Sequence, residues 1–300
     1  IKLMWSNLAS DGRFFEIILG STWALSARIA ATGIGLISTI IIARSYGAKM
    51  VGVLAVINSF LTLVTIFTVM GANTSLLRMI PEHMVKYSPT SAFRIYRKTQ
   101  FMVIAISLIT GGLFFLSADL IAIKIFSKPQ LSYYFSLASF FVVFKSLQQL
   151  NSSAVRGLQL IKFFALMQLL PQGTNFLILI CLGLLWHSQA VPVYALLGSF
   201  VLTGTIGWFI MEYKFRQKIQ PQDMVYPLSS RAIFSISAPM LMSAAMTFFI
   251  GQIGIIMLGM FRSEAEVGYY SIAVKLATLT SFILNAVNAM VGPKISEFFH

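Results

Sequence analysis

The sequence predicts an all-α fold: a polytopic transmembrane helical bundle, with a six-helix first bundle and the first two helices of a second, parallel repeat. Three observations predict it. Hydrophobic residues make up 57% of the 300 residues and charged residues only 10%, whereas soluble domains carry about 25% charged residues. Apolar stretches long enough to cross a bilayer recur along the whole chain. Two of the connections between these stretches are similar in sequence.

Eight stretches qualify as membrane spans, because a helix of about 20 mostly apolar residues crosses the hydrocarbon core. Their interiors hold few charges, and the connections hold most of the Pro, Arg and Lys. The predicted spans, numbered in chain order, are 17–43, 51–72, 101–118, 131–150, 163–185, 191–211, 233–260 and 267–291. The predicted domains are a first six-helix bundle over 1–220 and the start of a second bundle, spans 7 and 8, over 221–300.

The basic residues are distributed unequally between the two ends of the predicted spans. Of the 22 Lys and Arg, fourteen lie at one end, in the N-terminal segment, in connections 73–100, 151–162 and 213–232, and at Lys294. Five lie at the other end. We name these ends the cation-rich face and the cation-poor face. Lys and Arg near span ends favour the cytoplasm, so we expect a cytoplasmic N-terminus. Orientation accounts for most of the net charge of +13, and we expect no nucleic-acid partner.

Three cations remain inside predicted spans: Arg28, Lys145 and Lys275. A charge at the bilayer centre costs about 2.5–3.5 kcal/mol on insertion scales, so such residues usually face a polar cavity. Each lies on a polar helical face, and the uncharged span 2 carries a similar face. These faces are Arg28, Thr32, Gly35 and Thr39; Lys145, Gln148 and Ser152; Ser271, Lys275, Thr278 and Asn285; and Asn58, Thr62 and Thr65. The predicted substrate-binding residues are Arg28, Lys275, Lys145, Asn58 and Asn285. For Lys145, snorkelling of the charge to the cation-rich face is the open alternative.

Other chemistry is scarce in the sequence. All nine Asp and Glu lie in connections or at span edges, so no membrane-embedded carboxylate is predicted to bind a coupling cation. Cys181 alone forms no internal disulfide, and the three His residues lack the spacing of a metal site. No phosphate-binding loop or catalytic triad spacing is present. We therefore expect no enzyme activity, no cofactor and no metal.

Spans 1–2 and spans 7–8 contain an internal sequence repeat. Residues 43–63 read ARSYGAKMVGVLAVINSFLTL, and residues 261–279 read FRSEAEVGYYSIAVKLATL. Val51-Gly52 aligns with Val267-Gly268, and Thr62-Leu63 aligns with Thr278-Leu279, at a constant offset of 216. Each segment connects an odd span to the next even span through a short turn at the cation-poor face. Repeats that enclose a central site are common in transporters.

The first of these segments, followed by MGANTSLLRMIPEH, resembles the first helical hairpin of Wzx-type oligosaccharide flippases of bacteria. Arg44, Gly47 and Gly52 fit the family's first outside turn, and Lys49 stands where an acid is common. The stretch GIIMLGMFRSEAEVGYYSIAVKLATL is similar to the signature of spans 7 and 8 in the same family. These flippases belong to the multidrug/oligosaccharidyl-lipid/polysaccharide exporter superfamily.

The resemblance implies two six-helix bundles around a central cavity, so the 300 residues are expected to be a C-terminally truncated fragment. It also implies alternating access, in which an undecaprenyl-pyrophosphate-linked oligosaccharide moves from the inner to the outer leaflet. The expected partners are this glycolipid, membrane lipids, a polysaccharide polymerase and a chain-length regulator.

Three alternative functions remain open on the sequence. The first is a multidrug/cation antiporter of the same superfamily, against which the absence of an embedded carboxylate counts. The second is a lipid II flippase, which no feature of the sequence separates from the preferred function. The third is a membrane enzyme such as a polysaccharide polymerase. The short connections at the cation-poor face count against that third function, because such an enzyme needs a sizeable outer loop for its catalytic groups.

Overall fold

A computed structural model describes residues 12–186, 188–219 and 230–279, and these residues form helices and turns without strands. This confirms the predicted fold class. The helices are α1 (Gly12–Val69), α2 (Ala72–Lys86), α3 (Pro89–Leu120), α4 (Leu131–Ser139), α5 (Val142–Gly157), α6 (Ile161–Leu185), α7 (Val191–Arg216) and α8 (Ser230–Phe261). A further helix, α9, covers 264–279. One turn of π-helix, Ile121–Ile125, extends α3.

Helix α1 contains both of the first two predicted spans. Its 58 residues would measure about 87 Å if straight, almost three times the bilayer core. The helical conformation is interrupted at Gly47, with φ 82° and ψ 163°. A side chain strongly disfavours such a positive φ, and glycine tolerates it. Gly47 therefore separates a first arm, 12–46, from a second arm, 48–69.

The two arms of α1 form a hairpin that points away from Gly47 towards the cation-rich face. Along the first arm, Gly35 lies beside Gln172 in the middle of α6. The second arm ends next to Gly71, which lies against the backbone of Ser237 near the start of α8. Both α6 and α8 begin at the cation-rich face, so both arms extend in that direction.

The remaining helices follow the predicted spans with three differences. Span 4, predicted as one helix over 131–150, is divided at Phe140–Phe141 into α4 and α5, and α5 continues to Gly157. The connection predicted over 73–100 contains the separate helix α2. Helix α3 begins at Pro89 rather than at residue 101, because the side chain of Ser88 caps it by accepting a bond from the Ser91 amide. Span 8 is described only as far as residue 279.

Five of the described helical segments are long and apolar enough to cross a membrane. They are Thr22–Val69, Pro89–Ile125, Ile161–Leu185, Val191–Arg216 and Ile233–Phe261. The first of them holds two predicted spans, and the divided span 4 supplies none of the five. The protein is therefore a multi-pass membrane protein.

The bundle interior consists of two apolar clusters, one towards each face. The cluster near the cation-poor face is built around Ile57, Leu61, Phe126 and Phe135. The other is built around Leu76, Ile80, Tyr96, Leu150 and Phe215. The connections assigned to the cation-rich face do lie together. Arg97 pairs with Glu212 at 3.7 Å, and Lys214 lies 4.7 Å from the ring centroid of Phe163.

Candidate functional site: a polar layer across the bundle

The first component of the candidate site is Lys145, which is held inside the first bundle. Its Nζ donates to Asn58 Oδ1 at 2.7 Å and to the Asn58 carbonyl at 3.3 Å. The same Nζ lies 4.7 Å from the ring centroid of Phe200, a cation–π distance. Lys145 therefore does not snorkel to the cation-rich face. The structure joins two predicted site residues, Lys145 and Asn58, in one contact.

The second component is Lys275, which connects the second repeat to the first. Lys275 lies on α9, and its Nζ donates to Thr39 Oγ1 in the first arm of α1 at 2.8 Å. Thr39 is buried, and its hydroxyl in turn donates to the Gly35 carbonyl at 2.7 Å. Thr39 belongs to the polar face predicted for span 1, the face that also carries Arg28.

Both lysines lie at similar depth. Thr39 is eight residues before Gly47 and Asn58 is eleven residues after it, or about 12 and 16 Å along their arms. These distances from the Gly47 turn are close to half the thickness of a bilayer core, which is about 30 Å. We name Thr39, Asn58, Ser59, Lys145, Gln252 and Lys275 the polar layer.

Ser59 and Gln252 belong to this layer although the sequence did not single them out. The buried Ser59 hydroxyl donates to Gln252 Oε1 of α8 at 2.7 Å. At the repeat offset of 216, Ser59 is the counterpart of Lys275. The contact of Ser59 in α1 with α8 thus corresponds to the contact of Lys275 in α9 with α1. The Ser59 hydroxyl takes the place of the Lys275 ammonium group. The repeat alignment, which pairs Ser59 with Lys275, is the signal in the sequence that could have identified Ser59.

Helix α6 adds two amide side chains near the polar layer. The Gln172 side chain lies against Gly35, where an added Cβ would be 3.1 Å from Gln172 Oε1. One turn further on, Asn175 Oδ1 is buried and has no hydrogen-bond partner among the described residues. A buried amide oxygen without a partner costs about 1–3 kcal/mol. Asn175 was not predicted as a site residue, because a single Asn in an apolar span carries no spacing signal.

The other two predicted site residues lie outside this layer. Arg28 is exposed and lies on the first arm of α1, three turns from Thr39 along the same helical face. That face is shared because residues at i, i+4, i+7 and i+11 align on a helix. Arg28 and Lys145 therefore occupy different depths of the bundle. Asn285 is not among the residues that the structure describes.

The charge of the polar layer is positive. Its two ammonium groups contact amide, hydroxyl and carbonyl oxygens and an aromatic ring, all of which are neutral. The described carboxylates lie near the helix ends. Asp119 bonds Ser132 and Glu264 bonds Gln130 at the cation-poor face, and Glu212 pairs with Arg97 and Arg216 at the cation-rich face.

On the cation-poor side of the polar layer, the two turns of the internal repeat, at residues 48–52 and 264–268, pack against each other through equivalent contacts. A Cβ added to Gly52 would collide with the Glu264 carbonyl, and one added to Gly268 would collide with the Ala48 carbonyl. The same added Cβ atoms would lie 3.0 Å from Gly268 N and 3.2 Å from Gly52 N, respectively. At the offset of 216, Ala48 corresponds to Glu264 and Gly52 to Gly268. The contact is therefore pseudo-twofold, with each repeat presenting the same surface to the other.

The helical fold described above is similar to that of a solved membrane-protein structure. The structure of the MATE multidrug transporter DinF-BH matches with a TM-score of 0.60 at 13% identity. The match covers 87% of this chain and 60% of that transporter. The fold and the polar layer thus define the class: a multi-pass helical membrane protein with the fold of a multidrug transporter.

The particular family follows from the sequence comparison. The model of the protein family described as "Polysaccharide biosynthesis protein" matches residues 17–299. The chain belongs to this polysaccharide biosynthesis protein family. A search of curated proteins gave no match. The sequence comparison thus gives the family, and the structural comparison gives the fold.

Proposed function

We propose that this protein is a Wzx-type flippase of the bacterial inner membrane. It carries a polyprenyl-pyrophosphate-linked oligosaccharide, such as an O-antigen, capsule or exopolysaccharide repeat unit, from the inner to the outer leaflet by alternating access. The observation that carries the proposal is the pair of ammonium groups near the middle of the bundle, Lys145 and Lys275, whose described partners are all neutral.

The electrostatics of this layer favour an anion. A cation in a low-dielectric interior interacts more strongly with an opposite charge than it does in water. Asn58 and Thr39 orient the two ammonium groups without neutralising them. A pyrophosphate supplies the missing negative charge. The neutral amides of Gln172, Asn175 and Gln252 suit hydroxyl groups of a sugar, because an amide both donates and accepts hydrogen bonds.

Arg28 extends this positive path towards the cation-rich face. It lies three turns from Thr39 on the same face of α1 and is exposed. If the cation-rich face is cytoplasmic, as the distribution of Lys and Arg indicates, the anionic head group meets Arg28 before it reaches Lys275. The polyprenyl chain stays in the surrounding lipid. A polysaccharide polymerase and a chain-length regulator then act on the translocated unit.

The test uses the full-length protein in a strain that lacks the chromosomal copy. The Arg28→Ala/Lys275→Ala double variant should abolish surface polysaccharide while protein abundance in the membrane stays unchanged. The control is Lys124→Ala, which removes an exposed cation at the cation-poor face. Normal surface polysaccharide in the double variant would overturn the assignment of these two residues.

A second candidate is a multidrug/cation antiporter of the same superfamily, favoured by the fold likeness to DinF-BH. The same strains distinguish the two functions. Loss of drug resistance in the deletion strain, with unchanged polysaccharide, would favour the antiporter. Accumulation of lipid II precursors in place of polysaccharide intermediates would favour a lipid II flippase.

A further inference from the structure

The connection between α3 and α4 reaches across to the second repeat at the cation-poor face. Lys128 Nζ donates to the Gly259 carbonyl at 2.9 Å and to the Arg262 carbonyl at 2.6 Å. The Gly259 carbonyl lies in the last turn of α8, and Arg262 directly follows that helix. The last four carbonyls of a helix lack intrahelical donors and carry a partial negative charge. Lys128 therefore binds the end of α8 from a different part of the fold.

Two neighbours of Lys128 support the same contact. Gln130 donates through Nε2 to Glu264 Oε1 at the start of α9. The ring of Phe126 is fully buried and packs against Gly259, where an added Cβ would lie 3.0 Å from the ring. Residues 126–131 are thus anchored in the core of the first bundle by Phe126, and they bind the α8–α9 turn by Lys128 and Gln130.

The contacts of residues 126–131 lie between the polar layer and the cation-poor face. They adjoin the Gly52–Gly268 contact, which joins the same two repeats at the same face. Thr39 and Asn58 lie further into the bundle, about 12 and 16 Å from Gly47 along their arms. Together these contacts hold α1 and residues 126–131 against the α8–α9 turn at the cation-poor face.

We infer that residues 126–131 form a latch that holds the cation-poor end closed, and that the contacts of Lys128 and Gln130 break each time a ligand leaves on that side. The inference rests on the proposed transport function. Lys124, just before the same connection, provides a matched comparison because it is an exposed cation at the same face. The latch acts on the position of the α8–α9 turn, so Lys128 is a positioning residue and does not touch the ligand.

The first experiment measures opening without any substrate. In a Cys181→Ser background, a Thr62→Cys reporter, one turn below Asn58, is labelled in intact spheroplasts with a membrane-impermeant methanethiosulfonate. Removing the two bonds from the Lys128 ammonium should favour the open state, so Lys128→Met should raise the labelling rate at least about tenfold. Lys124→Met should leave the rate unchanged. Equal rates for Lys128→Met and the parent protein would overturn the latch.

The second experiment locks the latch. Gln130→Cys and Glu264→Cys in the same background are joined with a short bis-methanethiosulfonate, and translocation of the lipid-linked saccharide is followed before and after reduction. We expect translocation to stop on cross-linking and to return with reductant. Undiminished translocation by the cross-linked protein would contradict the inference. The labelling result does not depend on the substrate, so failure of the proposed function leaves it interpretable.

Discussion

Gly52 and Gly268 face each other at the pseudo-twofold contact of the two repeats, so closely that neither position has room for a methyl group. They occupy the same place in the aligned sequences AKMVG and EAEVG. The two glycines allow two helices to approach at backbone distance, as small residues commonly do in membranes. The equivalence of the two positions makes their substitutions comparable.

The first prediction concerns this glycine pair. Gly52→Ala and Gly268→Ala should each increase labelling of the Thr62→Cys reporter from the outside, because the added methyl separates the two turns. The double variant should have less than the combined effect, since either methyl already breaks the shared contact. Gly251→Ala is the control, as its added Cβ meets no atom within 4 Å. Effects that simply add would show that the two glycines act independently.

The second prediction concerns the bond from Lys145 to Asn58. Asn58→Leu leaves the ammonium without its amide acceptor and should lower the free energy of unfolding by about 1–3 kcal/mol. Lys145→Met in the Asn58→Leu background should recover much of that loss, because both polar partners are then gone. Titration with a denaturing detergent measures the four proteins of this double-mutant cycle. A coupling energy near zero would contradict the contact.

The third prediction concerns the start of α9. Ser263 N and Oγ each donate to Glu266 Oε2 at 2.9 Å, and the Glu266 amide donates to Ser263 Oγ at 3.4 Å, which is a capping box. These bonds lower the pKa of the Glu266 carboxyl. Because the pKa is lower in the folded protein than in the unfolded chain, where it is about 4.3, the carboxylate stabilises the fold at pH values above 4.3. This stabilisation is lost as the pH falls through the pKa of the folded protein.

The melting temperature of Glu266→Gln should therefore be lower than that of the parent protein at pH 7, and the difference should shrink below about pH 4. Thermal unfolding in a mild detergent across this pH range provides the measurement. A difference that stays constant with pH would show that the carboxylate does not cap α9. Ser263→Ala should lower the melting temperature at pH 7 through the same cap.

The fourth prediction concerns helix packing near the cation-rich face. A Cβ added to Gly207 would lie 2.7 Å from Met167 Cε and 3.0 Å from Asn151 Cβ. Asn151 is held in place, because it accepts from the Tyr96 hydroxyl at 2.7 Å and donates to the Gly204 carbonyl at 3.1 Å. Gly207→Ala should cost about 1–3 kcal/mol by overpacking, measured by the same detergent titration. Gly173→Ala, with open space around it, should be neutral.

Much of the fold could be predicted from the sequence, because long apolar runs and the distribution of basic residues follow directly from the bilayer. The division of span 4 could not. The stretch Phe140-Phe141-Val142-Val143 is as apolar as its surroundings and contains no Pro or Gly to mark a break. Helix α2 could not be predicted as a separate helix either, because its sequence is mixed in polarity and contains no long apolar run.

The candidate site could be predicted only in part. A lysine in an apolar span stands out by its charge alone, so Lys145 and Lys275 were found. Ser59 and Gln252 are 193 positions apart, and one hydroxyl and one amide at that separation have no sequence pattern. The position of Lys128 in a connection indicates only a role in membrane orientation. Its contacts with Gly259 and Arg262 depend on the packing of distant helices and are visible only in the structure.

The first helical hairpin supplies the acceptors for both interior lysines. Thr39, on the arm that leads to Gly47, receives Lys275, and Asn58, on the arm that leads away, receives Lys145. Both arms meet at Gly47, so the backbone angles at this one glycine set the separation of the two acceptors, Thr39 and Asn58. The hairpin is in this sense a spacer, because one residue sets the distance between a contact inside the first bundle and a contact with the second repeat.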